Sequence, residues 1–269
     1  MKGIRFSRKN LAVPYAIYMV LFVLIPIAII VYYAFSDPSG MLSGDAFIAF
    51  FTSRTKIDVL FRSLLIGLLN TALCLVIAYP LALLLANKKF NTKYVLVLLF
   101  VMPMWINFVL RIGALKDLLV WMNLKPKDYP YLDTMIGLVY DYLPFTILPL
   151  YSTMLKIDYS QVEASYDLGA NRVQTFFKAI VPQTIPGVIS AASMVFMPTL
   201  SSYVVSDALS QRQIILFGNS IYASYSNGNP AGLNEASFMA LIMLVIVIVS
   251  MVVTRKFERN SNDTRTSLW

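Results

Sequence analysis

The sequence predicts an all-α membrane protein with six transmembrane helices. Its 269 residues are 58% hydrophobic, and their mean hydropathy is +0.68. These values exclude an ordinary soluble domain and a disordered chain. Six stretches are apolar over the roughly 20 residues that a helix needs to cross the hydrocarbon core. Basic residues collect on one side of these stretches, as is typical of multi-pass membrane proteins.

The predicted spans cover about residues 11–35, 59–87, 94–110, 134–155, 187–205 and 236–254. The first apolar stretch is longer than the hydrophobic region of a secretory signal peptide and lacks a small-x-small cleavage site, so we expect an uncleaved first span. Neither an internal repeat nor a low-complexity linker divides the chain. We therefore expect a single transmembrane domain over residues 1–269.

The distribution of basic residues predicts the orientation in the membrane. Fourteen of the 22 Lys and Arg residues lie in segments that are cytoplasmic if the N-terminus is inside. This bias follows the positive-inside rule and predicts that both termini are cytoplasmic. It also accounts for the net charge of +8 without a nucleic-acid partner.

The residue inventory excludes several kinds of active site. The chain has no histidine and a single cysteine, Cys74, which removes His/Cys metal sites, Ser-His-Asp triads and Cys-His pairs from consideration. No glycine is followed by lysine, so the chain lacks a Walker A loop for ATP phosphates. We expect no catalytic residue, metal or cofactor in this chain, and any ATP and Mg²⁺ to be bound by another subunit.

The longest polar interruption on the predicted cytoplasmic side is residues 160–182, SQVEASYDLGANRVQTFFKAIVP. Ser160 and Glu163 have the spacing of a capping box, in which each side chain accepts a hydrogen bond from the other's backbone amide. This spacing predicts a helix that begins near Gln161. Gly169 lies about two turns later, where a left-handed residue would end the helix without steric cost.

A second short helix is predicted after this turn. Asn171 is a good N-cap residue, and the helix that it begins would end before Pro182, because the residue before a proline is disfavoured in the helical region. The loop is therefore predicted to form a helix, a tight turn and a second helix.

The spacing of this loop resembles the EAA loop of ABC importer permeases, whose pattern is E-A-A-x3-G-x9-I-x-L-P. The matching residues are Glu163, Ala164, Gly169 and Pro182. Three positions differ from the pattern by small or aliphatic residues, namely Ser165, Ala179 and Val181. In that family the loop is a coupling helix that sits in a groove of the cytoplasmic ATPase. The resemblance implies that the coupling segment spans 158–186 and that its coupling residues are Glu163, Ala164, Ser165, Gly169, Ala170 and Pro182. The alternative is an ordinary cytoplasmic loop in which the capping box only stabilises a helix.

Charged and aromatic residues near the outer ends of the spans are candidates for a substrate pathway. Asp141 lies within the fourth predicted span, Asp207 just past the fifth and Arg111 just past the third. Carboxylates beside aromatic faces suit an organic cation, because charge pairing and cation–π attraction act together. The candidates are Trp105, Tyr140, Asp141, Tyr203 and Asp207. Alternatively, the aromatic residues form an interfacial belt, and either aspartate pairs with Arg111.

Four stretches, residues 102–119, 137–154, 163–191 and 202–209, resemble the PotB-type permeases of bacterial spermidine/putrescine ABC importers. The resemblance implies a type I ABC importer permease fold in the bacterial inner membrane. It also implies a second, PotC-like permease, two PotA-like ATPases and an external PotD-like polyamine-binding protein. Two alternatives remain open. The chain is an ABC permease for another solute, such as thiamine, ferric ion or a sugar, or it is a secondary transporter or channel.

Overall fold

The computed structural model describes residues 8–87 and 95–266, with side chains for residues 13–87 and 95–257. Over these residues the chain is helical apart from short connections and one isolated antiparallel bridge between Ser36 and Leu42. The basic residues predicted to face the cytoplasm at Lys2 and Arg5, and at Lys88, Lys89 and Lys93, lie outside the described residues.

The α-helices of the described residues are numbered here in chain order. They are α1 (Arg8–Met19), α2 (Ile25–Ala34), α3 (Asp45–Thr52), α4 (Arg54–Ala86), α5 (Val95–Val101), α6 (Phe108–Trp121), α7 (Pro130–Met154), α8 (Tyr159–Asp167), α9 (Arg172–Thr175), α10 (Val181–Ser201), α11 (Tyr203–Ser210), α12 (Phe217–Ser226) and α13 (Pro230–Thr266). A π-helical segment, Val20–Leu24, joins α1 to α2, and another, Phe176–Ile180, joins α9 to α10.

Four helical segments are long and apolar enough to cross a membrane: Val13–Ala34, Arg54–Ala86, Arg172–Ser201 and Pro230–Phe257. They coincide with the predicted first, second, fifth and sixth spans. The fifth begins well before the predicted residue 187. The predicted fourth span, residues 134–155, lies within α7 except for its last residue; α7 is a 25-residue helix that is not among these four. The described residues therefore contain four such spans, or five if a bent pair of helices is counted as one.

The helix is broken within the predicted third span, so this stretch is not one continuous helix; that it crosses the membrane stays a prediction. Val95–Trp105 and Phe108–Trp121 are bent by 98° relative to each other. Pro103 lies in a 3₁₀ turn, Met102–Trp105, and its ring removes an amide donor from the helical ladder. Asn107 then begins a new helix, because its side chain accepts hydrogen bonds from the amides of Val109 and Leu110. Pro103 therefore ends the first helix and Asn107 begins the second, and this change of direction produces the bend.

The described residues divide into two compact units. The first contains the chain up to Ile57 together with Ser220–Ile246. Phe238 is its aromatic centre, with ring centroids 5.7 Å from Phe47 and 5.8 Å from Phe50. Lys56 and Glu235 form an ion pair at 2.6 Å. By contrast, none of the most apolar window of Val13–Ala34 is buried.

The second unit contains Asp58–Asn219 together with the chain from Val247. Its main packing contact is between α7 and α10, where Gly187 lies so close to Thr153 that a Cβ atom would come within 2.7 Å of the threonine Cβ. Two hydrogen bonds join α4 to α10, from Asn70 to Thr199 at 2.9 Å and between Tyr79 and Thr184 at 2.8 Å. Both candidate functional regions lie within this unit. The predicted single domain over 1–269 stays a prediction.

Candidate functional site

The loop after α7 contains the helix predicted from Ser160 and Glu163, but its N-cap is a different residue. Helix α8 begins after Asp158, whose side chain accepts hydrogen bonds from the Ser160 amide at 3.0 Å and the Ser160 hydroxyl at 2.7 Å. The hydrogen bond from the Ser160 side chain is the largest influence on Asp158 and lowers the pKa of this carboxyl below its ordinary value. The predicted capping box is therefore wrong, because an ionised carboxylate two residues earlier is the stronger acceptor.

The turn predicted at Gly169 is confirmed. Gly169 has a φ of +81°, its amide donates to the Tyr166 carbonyl at 2.8 Å, and the Ala170 amide donates to the Ser165 carbonyl at 3.1 Å. This pair of bonds is a Schellman motif, which satisfies the last carbonyls of α8. A Cβ atom at Gly169 would meet nothing within 4 Å, so the backbone conformation alone favours glycine here.

The second short helix begins as predicted but does not end at Pro182. The Asn171 side chain accepts from the Gln174 amide at 2.9 Å, and the Gln174 side chain accepts from the Asn171 amide at 3.0 Å, which completes a capping box. The helix then passes through the π segment into α10, with Pro182 in the first turn of α10. Prolines are accommodated where the regular ladder is interrupted or begins anew. The predicted helix end at Pro182 was therefore wrong.

Both short helices are attached to the helices of their unit. Val162 is buried in the cluster that includes Leu85 and Met154. The Ser165 hydroxyl is 2.7 Å from that of Thr175, which joins α8 to α9. The Asp158 amide donates to the Gln183 side chain at 2.9 Å, which joins the start of α8 to α10. Ser165, which replaces the second alanine of the EAA pattern, thus contributes a polar link within the loop.

The opposite side of the loop is exposed. Leu168 is 88% exposed, and Glu163 and Ala164 are exposed on α8. Within the described residues, no hydrogen bond or ion pair engages the Glu163 carboxylate. We name the exposed apolar side chains of this loop the loop surface; they are Tyr166, Leu168, Val173 and Phe177. Isolated exposed apolar residues are common, but several on one short loop are typical of a protein interaction site.

A second group of predicted residues meets at the bend between α5 and α6. Arg111 forms an ion pair with Asp141, and both side chains are only 6% exposed. The other guanidinium nitrogen donates to the Pro103 carbonyl at 2.9 Å. The Arg111 guanidinium carbon also lies 5.6 Å from the centroid of the Tyr140 ring. The proposed pairing of Asp141 with Arg111 is thus realised, and Arg111 joins α6, the 3₁₀ turn and α7.

Asp207 has a more open environment on α11. Its Oδ1 accepts a hydrogen bond from the Asn219 amide group at 2.5 Å. Its Oδ2 lies 3.8 Å from Nε of Arg212, and the two side chains are 32% and 83% exposed. Tyr203 lies one turn earlier on the same face of the helix, is half-buried, and its carbonyl accepts from Asn219 at 3.4 Å.

The predicted pathway residues therefore form two groups. Tyr140 and Asp141 lie with Arg111, whereas Tyr203 and Asp207 lie with Asn219. Trp105 is exposed at the bend. The sequence pattern did not identify Asn219 or Arg212. Gln211 and Arg212 adopt the left-handed conformation, and the chain turns back after α11 at these residues. Hydropathy does not predict such a reversal. Among the described residues, no group of three or more His, Cys, Asp or Glu side chains could hold a metal ion.

Solved structures define the class to which this fold belongs. The chain matches a chain of a bacterial alginate ABC transporter in complex with an alginate pentasaccharide-bound periplasmic protein, with a TM-score of 0.71 and 15% identity over 94% of this chain and 93% of the other. It matches a chain of the MetNI methionine ABC transporter with a TM-score of 0.55 and 17% identity over 78% and 99% of the two chains. At these identities the match shows the fold, which is that of type I ABC transporter permeases.

Sequence comparison identifies the family. A model described as the binding-protein-dependent transport system inner membrane component matches residues 78–262, and the chain belongs to this family. The spermidine/putrescine transport system permease protein PotB of Escherichia coli K12 is 33% identical over 221 residues, which cover 75% of this chain and 80% of the relative. The protein of the same name from Haemophilus influenzae is 32% identical, and the match covers 94% and 97% of the two chains. The chain is therefore a multi-pass membrane subunit of a binding-protein-dependent transport system.

Proposed function

We propose that this chain is the permease subunit of an ATP-driven importer of polyamines. The observation that carries this proposal is the similarity to PotB permeases, which extends over 94% of the chain for the Haemophilus influenzae relative. The similarity covers the loop that would couple the permease to the ATPase. It also covers the Asp141 and Asp207 regions, which would line the substrate pathway. Spermidine and putrescine are the substrates that we propose.

In this proposal, residues 158–186 form the EAA coupling loop. Its coupling residues would be Glu163, Ala164, Ser165, Gly169, Ala170 and Pro182. The loop surface supports this role, since it offers exposed apolar contacts next to the exposed Glu163, whose carboxylate has no hydrogen-bond or ion-pair partner among the described residues. The helix from Arg172 continues for 30 residues to Ser201, so a displacement of the loop would pass directly into a membrane span.

The complete importer would contain this permease, a second, PotC-like permease, two PotA-like ATPases and an external PotD-like binding protein. ATP and Mg²⁺ would be bound by the ATPase subunits and not by this chain. The chain would cross the bacterial inner membrane six times as one domain, with both termini and the coupling loop cytoplasmic. ATP binding would close the ATPase pair and open the permeases outward, and hydrolysis would reverse this movement.

The substrate pathway would run past Trp105, Tyr140, Asp141, Tyr203 and Asp207. Aromatic faces and carboxylates stabilise organic ammonium groups by complementary mechanisms. The environments of the two aspartates differ in this structure, because the ion-pair partner of Asp141 is buried whereas that of Asp207, Arg212, is exposed. Asp207 is therefore the more accessible of the two to an arriving cation.

The proposal is tested by uptake of radiolabelled spermidine into proteoliposomes that contain the complete complex. We expect uptake that requires ATP and the ATPase subunits, and that excess unlabelled putrescine inhibits. Thiamine, ferric ion and maltose serve as competitor controls and should leave uptake unchanged. Efficient competition by one of these solutes and not by putrescine would contradict the polyamine assignment. ATP-independent uptake would instead indicate a secondary transporter.

A further inference from the structure

The two aspartates of the proposed pathway have ion pairs of very different character. Arg111 and Asp141 are both 6% exposed, and Arg111 is also anchored to the Pro103 carbonyl. A buried pair of this kind is costly to break, because each charge would be left without a partner. The pair between Asp207 and Arg212 spans 3.8 Å, and the Arg212 side chain is 83% exposed. An ion pair this long and this hydrated contributes little to stability.

The Asp207 carboxylate is nevertheless held in a fixed position. Asn219 donates to its Oδ1 at 2.5 Å, and the Asn219 side chain is itself oriented because its carbonyl oxygen accepts from the Leu216 amide at 2.9 Å. Asn219 is only 9% exposed. Oδ1 of Asp207 is therefore directed toward Asn219 in the protein interior. Oδ2 points toward the exposed side chain of Arg212.

The segment that carries Arg212 is also fixed. Gln211 and Arg212 have φ angles of 51° and 65°, so the chain reverses directly after α11. Two buried serines stabilise this reversal: the Ser206 hydroxyl donates to the Ile214 carbonyl, and the Ser210 hydroxyl accepts from the Ile214 amide at 3.1 Å. The reversal places a hydrated guanidinium beside a carboxylate that the fold has already positioned.

We propose that Asp207 is the carboxylate that receives an ammonium group of the transported cation, and that Arg212 is a tethered competitor which the arriving ammonium displaces. This inference rests on the proposed polyamine function. The compact ammonium group carries three donors. It can approach Oδ2 more closely than Arg212 does, whose Nε lies 3.8 Å from Oδ2. The exposed arginine returns to water when it is displaced, so its removal costs little. Arg212 therefore sets the affinity of the site for cations.

The test is direct binding of radiolabelled spermidine to the complete complex in nanodiscs, without the external binding protein. Nanodiscs leave both faces of the membrane open to the ligand. Arg212→Asn removes the charge and keeps a residue that tolerates the left-handed conformation, whereas Arg212→Lys keeps the charge. We expect Arg212→Asn to lower the Kd for spermidine about two- to fivefold, the gain expected from removing an exposed ion pair. Arg212→Lys should bind like the native complex.

Two further variants separate competition from a general charge effect. Lys125→Gln removes one positive charge at an exposed residue that forms no ion pair within the described residues, and it should leave the Kd unchanged. Asp207→Asn should weaken binding, and adding Arg212→Asn to it should have no further effect, because the two groups act through one contact.

The outcomes distinguish failure of this inference from failure of the proposed function. If the native complex binds spermidine and Arg212→Asn binds it equally or more weakly, Arg212 is not a competitor, and the polyamine function stands. A gain in affinity that persists in the Asp207→Asn background would also overturn the inference, since it would place the effect elsewhere. If no form of the complex binds spermidine directly, the inference about Asp207 and Arg212 fails, and the uptake assay in proteoliposomes decides the polyamine function separately.

Discussion

Gly169 is the residue whose conformation is most directly tied to the proposed coupling loop. Its φ of +81° lies in the left-handed region, which costs a residue with a Cβ atom about 1–2 kcal/mol. Because a Cβ atom there would contact nothing within 4 Å, a substitution acts on the backbone of the turn and not on packing. The effect should therefore remain local to the loop.

We predict that Gly169→Val abolishes most ATP-driven spermidine uptake while the amount of assembled complex in the membrane stays close to native. Asn is the matched control, because it tolerates the left-handed conformation, and Gly169→Asn should retain most uptake. Uptake in proteoliposomes and immunoblots of purified membranes measure the two quantities. Native uptake by Gly169→Val would show that the turn is not needed for coupling.

Residue-level features of the loop were predictable when they depended on neighbours within three or four positions. The left-handed glycine and the Asn171 cap are of this kind, and both are confirmed. The Ser160 capping box failed because Asp158, just outside the pattern considered, is the N-cap. Asn219 and Arg212 could not be predicted, since their proximity to Asp207 depends on a chain reversal.

At the scale of secondary structure, the pair of Arg111 and Asp141 stabilises the bend between α5 and α6. Arg111 lies in α6, bonds the 3₁₀ turn through the Pro103 carbonyl and pairs with α7 through Asp141. Since the helices meet at 98°, the bend needs contacts that a straight span would not. Arg111 supplies three of them, including its approach to the Tyr140 ring.

We predict that Arg111→Met lowers the free energy of unfolding by about 3–5 kcal/mol, because it leaves the Asp141 carboxylate buried without a partner. The double variant Arg111→Met/Asp141→Leu should recover most of this loss, since apolar groups replace both charges. Thermal unfolding of the purified complex in one detergent measures the difference in Tm.

The exposed pair provides the control for this prediction, because Arg212→Asn should hardly change the Tm. A double variant no more stable than Arg111→Met alone would show that charge pairing is not what the bend requires. A substrate role for Asp141 stays a prediction, to be compared with Asp207 by uptake.

Hydropathy predicted the location of the apolar helices better than their continuity. A window of about 20 residues averages over Pro103 and Asn107, so it identified an apolar stretch and missed the break within it. The opposite error occurred at Pro182, where local propensity predicted a helix end. The π segment before it lets the helix continue to Ser201, which a propensity for regular α-helix does not anticipate.

At the scale of the whole molecule, composition was sufficient to predict a helical membrane protein, because burial in lipid requires both apolar side chains and internally satisfied backbone groups. The family was predictable from the loop spacing and is confirmed by the match over residues 78–262. The six-span count and the positions of the termini stay predictions, as do the partner subunits, since none of them follows from the described residues of one chain.

In the proposed importer, this permease couples solute arrival to ATP hydrolysis by a separate subunit. The most direct test of this coupling is the ATPase rate of the complete complex in nanodiscs, with and without a spermidine-loaded external binding protein. We predict that the loaded protein stimulates hydrolysis several-fold, and that the stimulation is lost in Gly169→Val and retained in Gly169→Asn. A rate that is the same with and without the loaded protein would contradict this coupling.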